Sequence, residues 1–126
     1  MVYVMTDSIL TSIKKMLGIM EDYTQFDIDL IIHINSMISA LTQIGVGPST
    51  GFVITDKTAT WADWFDQENS LESVKSYILL RVKLIFDPPS NATVAKAYEE
   101  IIRELTFRLY VTTDPPVPVE VVEEEV

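Results

Sequence analysis

Cysteine is absent from the 126 residues. That excludes a disulfide framework, a thiolate metal site and a cysteine nucleophile. A single histidine, His33, excludes a histidine-rich metal centre as well. Bases are scarce: nine Lys and Arg stand against nineteen Asp and Glu, a formal net charge of -10. So acidic a surface repels a phosphate backbone, which argues against a simple DNA- or RNA-binding module. Glycine offers no phosphate cradle, because Gly45-Val46-Gly47-Pro48 lacks the Gly-Lys-Ser/Thr ending of a P-loop. Apolar runs are a few residues long, far below the roughly 20 needed to span a bilayer. Residues 1–20 lack the basic start, apolar run and small-residue cleavage site of a secretory signal. The expectation is a soluble protein made in the cytoplasm, with no membrane contact.

What is present is one domain's worth of chain, 48% apolar and 22% charged. The charge is uneven. Residues 71–110 carry five acids and six bases, whereas 111–126 carry five acids and no base. Half of the net charge therefore sits in the last sixteen residues, with three of the six prolines. The division predicts a helical domain over 1–110 and an extended arm over 111–126.

Four helices are predicted from apolar residues at helical spacing. The first, over 8–17, carries Ile9, Ile13, Met16 and Leu17, with Asp7 or Ser8 as cap and Gly18 as stop. Lys14 and Lys15 sit in its last turn, favoured by the helix dipole. The second, over 26–44, carries Leu30, Ile34, Met37, Ile38 and Leu41, with Thr24 as cap. Ile28 and Ile32 widen its apolar surface, which predicts a central helix covered on more than one side. The third, over 71–85, starts at a capping-box-like Asn69 and Glu72 and stops at Asp87-Pro88-Pro89. Leu71, Val74, Ile78, Val82 and Ile85 form its stripe. The fourth, over 92–109, is capped by Ser90 or Asn91 and turns Val94, Tyr98, Ile101, Leu105 and Leu109 inward. Lys96–Glu100, Glu99–Arg103 and Glu104–Arg108 are spaced as ion pairs one turn apart.

Between the second and third helices lies a long connection, 45–70. Phe52-Val53-Ile54-Thr55 and Thr58-Ala59-Thr60-Trp61 flank Asp56-Lys57 and predict a short β-hairpin. Trp61, Trp64 and Phe65 argue for an ordered connection that buries its rings against the helices or a neighbour.

Three constellations invite chemistry. His33, among apolar neighbours on a helix, reads as a partly buried or interfacial side chain, with no Ser or Asp spacing for a triad. Glu99, Glu100 and Glu104 are the kind of cluster that holds Mg²⁺ in all-α nucleotide hydrolases. Such a site needs carboxylates from two helices, and the third helix offers only Glu72. A salt-paired outer face is the better reading. The bases Lys75, Arg81, Lys83, Lys96, Arg103 and Arg108 read as solubilising outer faces or a weak local patch. The tail alternates valine and glutamate: Val117, Val119, Val121, Val122 and Val126 are apolar enough for an arm laid along a partner. A free terminus is the alternative.

The residues together resemble a known family. "TDSILTSIKKMLGI", "FDIDLIIHINSMISALTQIGVGP", the connection "ATWADWF" and "SVKSYILLRVKLIFDPPSNATVAKAYEEIIRELTFRL" are similar to the head–tail connector, or adaptor, proteins of long-tailed bacteriophages and prophages. The "LIFDPPS" turn and the ending "ELTFRL" carry most of the likeness. The resemblance implies an all-α structural protein without enzymatic activity or cofactor. It implies a ring, generally of twelve subunits, beneath the portal protein in the virion neck. Such a ring extends the DNA channel, lets DNA pass without gripping it, and docks the next neck protein, a stopper or tail-completion protein. Trp61, Trp64, Phe65, Val117, Val119, Val121 and Val122 are the candidate interface residues. The alternative is an acidic DNA mimic that occupies a host DNA-binding protein. Its weakness is that the acids are dispersed or gathered in the tail, where a mimic needs ordered rows.

Overall fold

The computed structural model describes residues 5–113. Helices are α1 (Ile9–Met16), α2 (Asp27–Gln43), the single turn α3 (Trp61–Trp64), α4 (Leu71–Phe86) and α5 (Ala92–Thr113). A 3₁₀ turn, Glu68–Ser70, leads into α4. The fold is all-α, as the periodicities predict, and no strand forms among the described residues.

Most of the predicted stripes are the core; Ile85, expected on the α4 stripe, is instead 52% exposed, and Met16 and Leu17 are half-buried. Ile9 and Ile13 of α1, Leu30, Ile34, Ile38 and Leu41 of α2, and Val74, Ile78 and Val82 of α4 are all closed to solvent. Each such side chain contributes about 1.5–3 kcal/mol relative to exposure. α4 lies between α2 and α5, and α1 packs on both α2 and α4.

Caps follow the sequence in part. The Thr11 amide donates to Ser8 Oγ at 3.1 Å, and Gly18, at φ 82°, stops α1. The amides of Thr93 and Val94 donate to Asn91 Oδ1 at 2.7 and 3.2 Å. Thr24 does not cap α2 with its side chain. Its carbonyl accepts from the Asp27 amide at 3.2 Å, and Phe26 enters the helix uncapped. The Asn69–Glu72 box is absent too, because the 3₁₀ turn hands the chain directly to α4.

Three further expectations are corrected. α5 runs through Thr113 rather than stopping near Leu109. The restriction that Pro115 imposes falls on Asp114, so Thr112 and Thr113 remain free to be helical. Of the predicted inner face of α5, Leu105 and Leu109 are buried but Val94 and Ile101 are exposed. Among the described elements only α4 is extensively packed against α5, and its first turns stay open. Of the three predicted pairs, Glu104–Arg108 is closed at 2.7 Å, while the other two are not within ion-pair distance.

The hairpin does not form. Thr60 instead makes an isolated antiparallel bridge to Ser8. The Ile9 amide donates to the Ala59 carbonyl, the Trp61 amide to Asp7 and the Ala62 amide to Met5, at 2.7–3.2 Å. The other half, at Ile54, is taken by a side chain. Asn35 Oδ1 accepts from the Ile54 amide at 2.8 Å, and Asn35 Nδ2 donates to its carbonyl at 3.0 Å. Asn35 therefore occupies the bonds a partner strand would have made.

Candidate functional site

The connection is fastened from inside. Trp61 is fully buried and its Nε1–H donates to Ser12 Oγ of α1 at 3.3 Å. Trp64 lies 6.3 Å from Trp61, 5.1 Å from Phe65 edge-on, and 6.4 Å from Phe52 in a stacked pair. Gly47, at φ 77°, lets the chain pass beneath this cluster: a Cβ there would stand 2.5 Å from Trp64 Nε1. Thr60 and Asp63 close a capping box around α3. Of the two partners foreseen for these rings, helices or a neighbour, the rings are buried among this chain's own elements. Val117, Val119, Val121 and Val122 lie outside the described residues.

Of the concave surfaces among the described residues, two carry exposed apolar side chains. The first, about 570 Å³, opens between α1, the start of α2 and residues 55–57. Leu10, Ile28 and Ile31 give it an apolar floor, and Glu21, Asp22 and Asp56 an acidic rim. Hydrogen bonds from the Thr58 hydroxyl and amide hold the Asp56 carboxyl below the usual carboxylate range. Ile28 is 75% exposed and Ile32, one turn on, 57%. Among the described residues nothing closes over this second side of α2, where the sequence predicts a helix covered on more than one side. Asn35, on the same side of the helix, holds the connection at Ile54 and goes no further toward Ile32.

The second surface, about 490 Å³, lies where the start of α4 meets the end of α5. Asn69, Ser70 and Ser73 form one wall, Phe107, Leu109 and Val111 the other, with Arg108 at its edge. Phe107 is 67% exposed, and Tyr110 and Val111 are also open. None of the three is among the contact residues expected from the sequence. Their signal was there, since Phe107 falls off the stripe formed by Val94, Ile101, Leu105 and Leu109, which marks an apolar residue on an outer face.

Neither surface offers catalytic geometry. His33 is half-buried on α2, and Glu99, Glu100 and Glu104 all stand exposed on α5. Among the described residues, no three acidic or histidine side chains converge as a metal site. No described helix is long and apolar enough to cross a membrane.

Residues 9–116 match the family described as phage connector protein. The chain belongs to the phage connector family. No curated protein and no solved structure matches it. Family membership makes this connector a structural phage protein of the virion neck, which engages portal or neck proteins. The matched region takes in α1, the fastened connection and the α4–α5 pair, so the family signature and the core coincide.

Proposed function

We propose that this connector is an adaptor subunit that forms a ring, with twelve copies as the expected number, beneath the portal protein. The ring extends the DNA channel and docks the next neck protein. The uncovered apolar side of α2 is the observation that carries the reading, because a subunit that closes a ring needs contact surface beyond its own core. The acidic overall charge supports it: a channel wall that passes DNA must not bind phosphate tightly. No step of this role needs a catalyst or a cofactor. The chain would be made in the host cytoplasm and end in the virion neck.

The test is an image of purified tailed particles carrying this protein with a label. Label at the head–tail junction in a ring supports the proposal. Label elsewhere, or none, overturns it. Inhibition of a DNA-binding protein by the pure chain would instead favour the DNA mimic.

A further inference from the structure

The open side of α2 has a chemical counterpart in the same chain, on the outer side of α5. We propose that the α2 stripe of one copy, Ile28, Asp29 and Ile32, meets the α5 stripe of the next copy, Lys96, Arg103 and Phe107, an inference that rests on the ring reading above.

Charge selects the partner surface. Between Lys15 and Lys57 the chain holds five acids and neither Lys nor Arg. Glu21, Asp22 and Asp29 stand exposed beside Ile28, and among the described residues none of these three carboxylates is in an ion pair. A neighbour's α2 laid on this side would set acids against acids, which rejects that pairing. Residues 71–110, with five acids and six bases, offer a better partner. Most of their bases are already engaged. Lys75 is buried, Arg81 donates to the Tyr77 hydroxyl at 2.6 Å, Lys83 stands 3.7 Å from Asp87, and Arg108 pairs with Glu104 at 2.7 Å. Lys96 and Arg103 remain, both exposed on α5 and in no ion pair among the described residues. Seven residues apart, they share one side of the helix with Phe107, a turn further on and 67% exposed. Glu99 and Glu100 flank that stripe, one on each side. Only a register that sets Lys96 and Arg103 over the α2 acids is therefore favourable.

The order of the helices makes the contact run head to tail. α4 lies between α2 and α5, and the two stripes are on the sides turned away from it. One copy therefore cannot bring its own stripes together. Two copies can, and each then keeps one stripe free for a further copy. Such a contact is heterologous, and it closes into a ring when its rotation divides the circle. Ile28, Ile32 and Phe107 would form the apolar centre of the interface, with the charges as its rim.

The chain has no cysteine, so a pair can be introduced without interference. Full-length Ile32→Cys and Phe107→Cys variants are purified separately, mixed, assembled on portal-bearing heads and mildly oxidised. The contact holds the two thiols together, so the mixed disulfide dimer should outpace either same-variant dimer by about tenfold or more. Dimers of the Ile32→Cys variant in equal or greater yield would put α2 against α2 and overturn the proposal. Charge reversal gives a second readout. Asp22→Lys with Asp29→Lys, or Lys96→Glu with Arg103→Glu, should each cut the connector retained on heads severalfold. All four are exposed positions, so the helical circular dichroism should persist. Combining the four substitutions in one chain should restore retention, and no recovery overturns the charge match. Imaging of heads carrying the unsubstituted chain reads the ring separately. A ring without the mixed link sinks this contact alone, and no ring sinks the ring reading with it.

Discussion

Lys14 looks in sequence like a base placed to meet a helix dipole, and its surroundings say more. It is buried, and its ammonium donates to the carbonyls of Glu21 at 3.0 Å and Tyr23 at 2.7 Å while pairing with Asp27 at 2.8 Å. One side chain thus holds the turn between α1 and α2. Lys14→Met would strand a half-buried carboxylate and two carbonyls. A loss of about 3 kcal/mol is expected in urea denaturation, the usual cost of breaking a buried pair from one side. Lys75 is buried too, and desolvation pulls its pKa from 10.5 down to about 8, against the opposing pull of Glu72 and Asp7. The unfolded chain therefore holds the extra proton between pH 8 and 10.5, so this group's contribution to stability rises with pH across that window. Measured against Lys75→Met, the wild-type chain should gain up to about 1.4 kcal/mol per pH unit there. Parallel curves for the two proteins would refute the assignment. Neither lysine's burial was legible in the sequence, because a base in a helical stripe looks the same whether it meets water or backbone carbonyls.

The helices were legible because their signals are local. Ile34, Ile38 and Leu41, or Val74, Ile78 and Val82, repeat at a spacing that only a helix brings to one side, and all of them are buried. The connection was legible as an ordered segment but not in its form. The pattern at 52–61 fits a hairpin, yet its bonds go to residues 5–9 and to Asn35, and no local pattern announces partners so far along the chain. Asn35→Ala tests this fastening. It leaves the Ile54 amide and carbonyl without their partner, at a cost of about 1–3 kcal/mol. The helical circular dichroism should persist while trypsin cleavage after Lys57 speeds up. Unchanged cleavage would mean that the rings of Trp61 and Trp64 hold the connection unaided. The open groove beside Phe107 is illegible for a related reason: the apolar stripe marks α5 only as far as Leu109, while Tyr110 and Val111 lie on the helix beyond it.

At the scale of the whole molecule, a core of ordinary quality sits beneath a surface that is unusually apolar in two places. Ile28 and Ile32 are too exposed to contribute much to folding, so Ile28→Glu should change stability by no more than about 0.5 kcal/mol. The same substitution should lower incorporation into heads severalfold, measured as the amount of connector retained on purified particles. A large loss of stability instead would assign Ile28 to the core. Removing residues 114–126 should likewise leave the thermal transition in place and weaken attachment to heads. Full attachment without them would count against any arm.

The bond between Trp61 and Ser12 spans 49 residues of sequence, and the bridge from Thr60 to Ser8 spans a similar stretch. α1 therefore leaves the ribosome well before the segment that fixes it. At 5–20 residues per second, that segment follows roughly 2–10 s later. For that interval Ile9 and Ile13 lack part of their final surroundings, although Lys14 already has its partners at 21–27. α1 is thus made early and settles late, and a nascent chain stalled before Trp61 should show α1 open to protease.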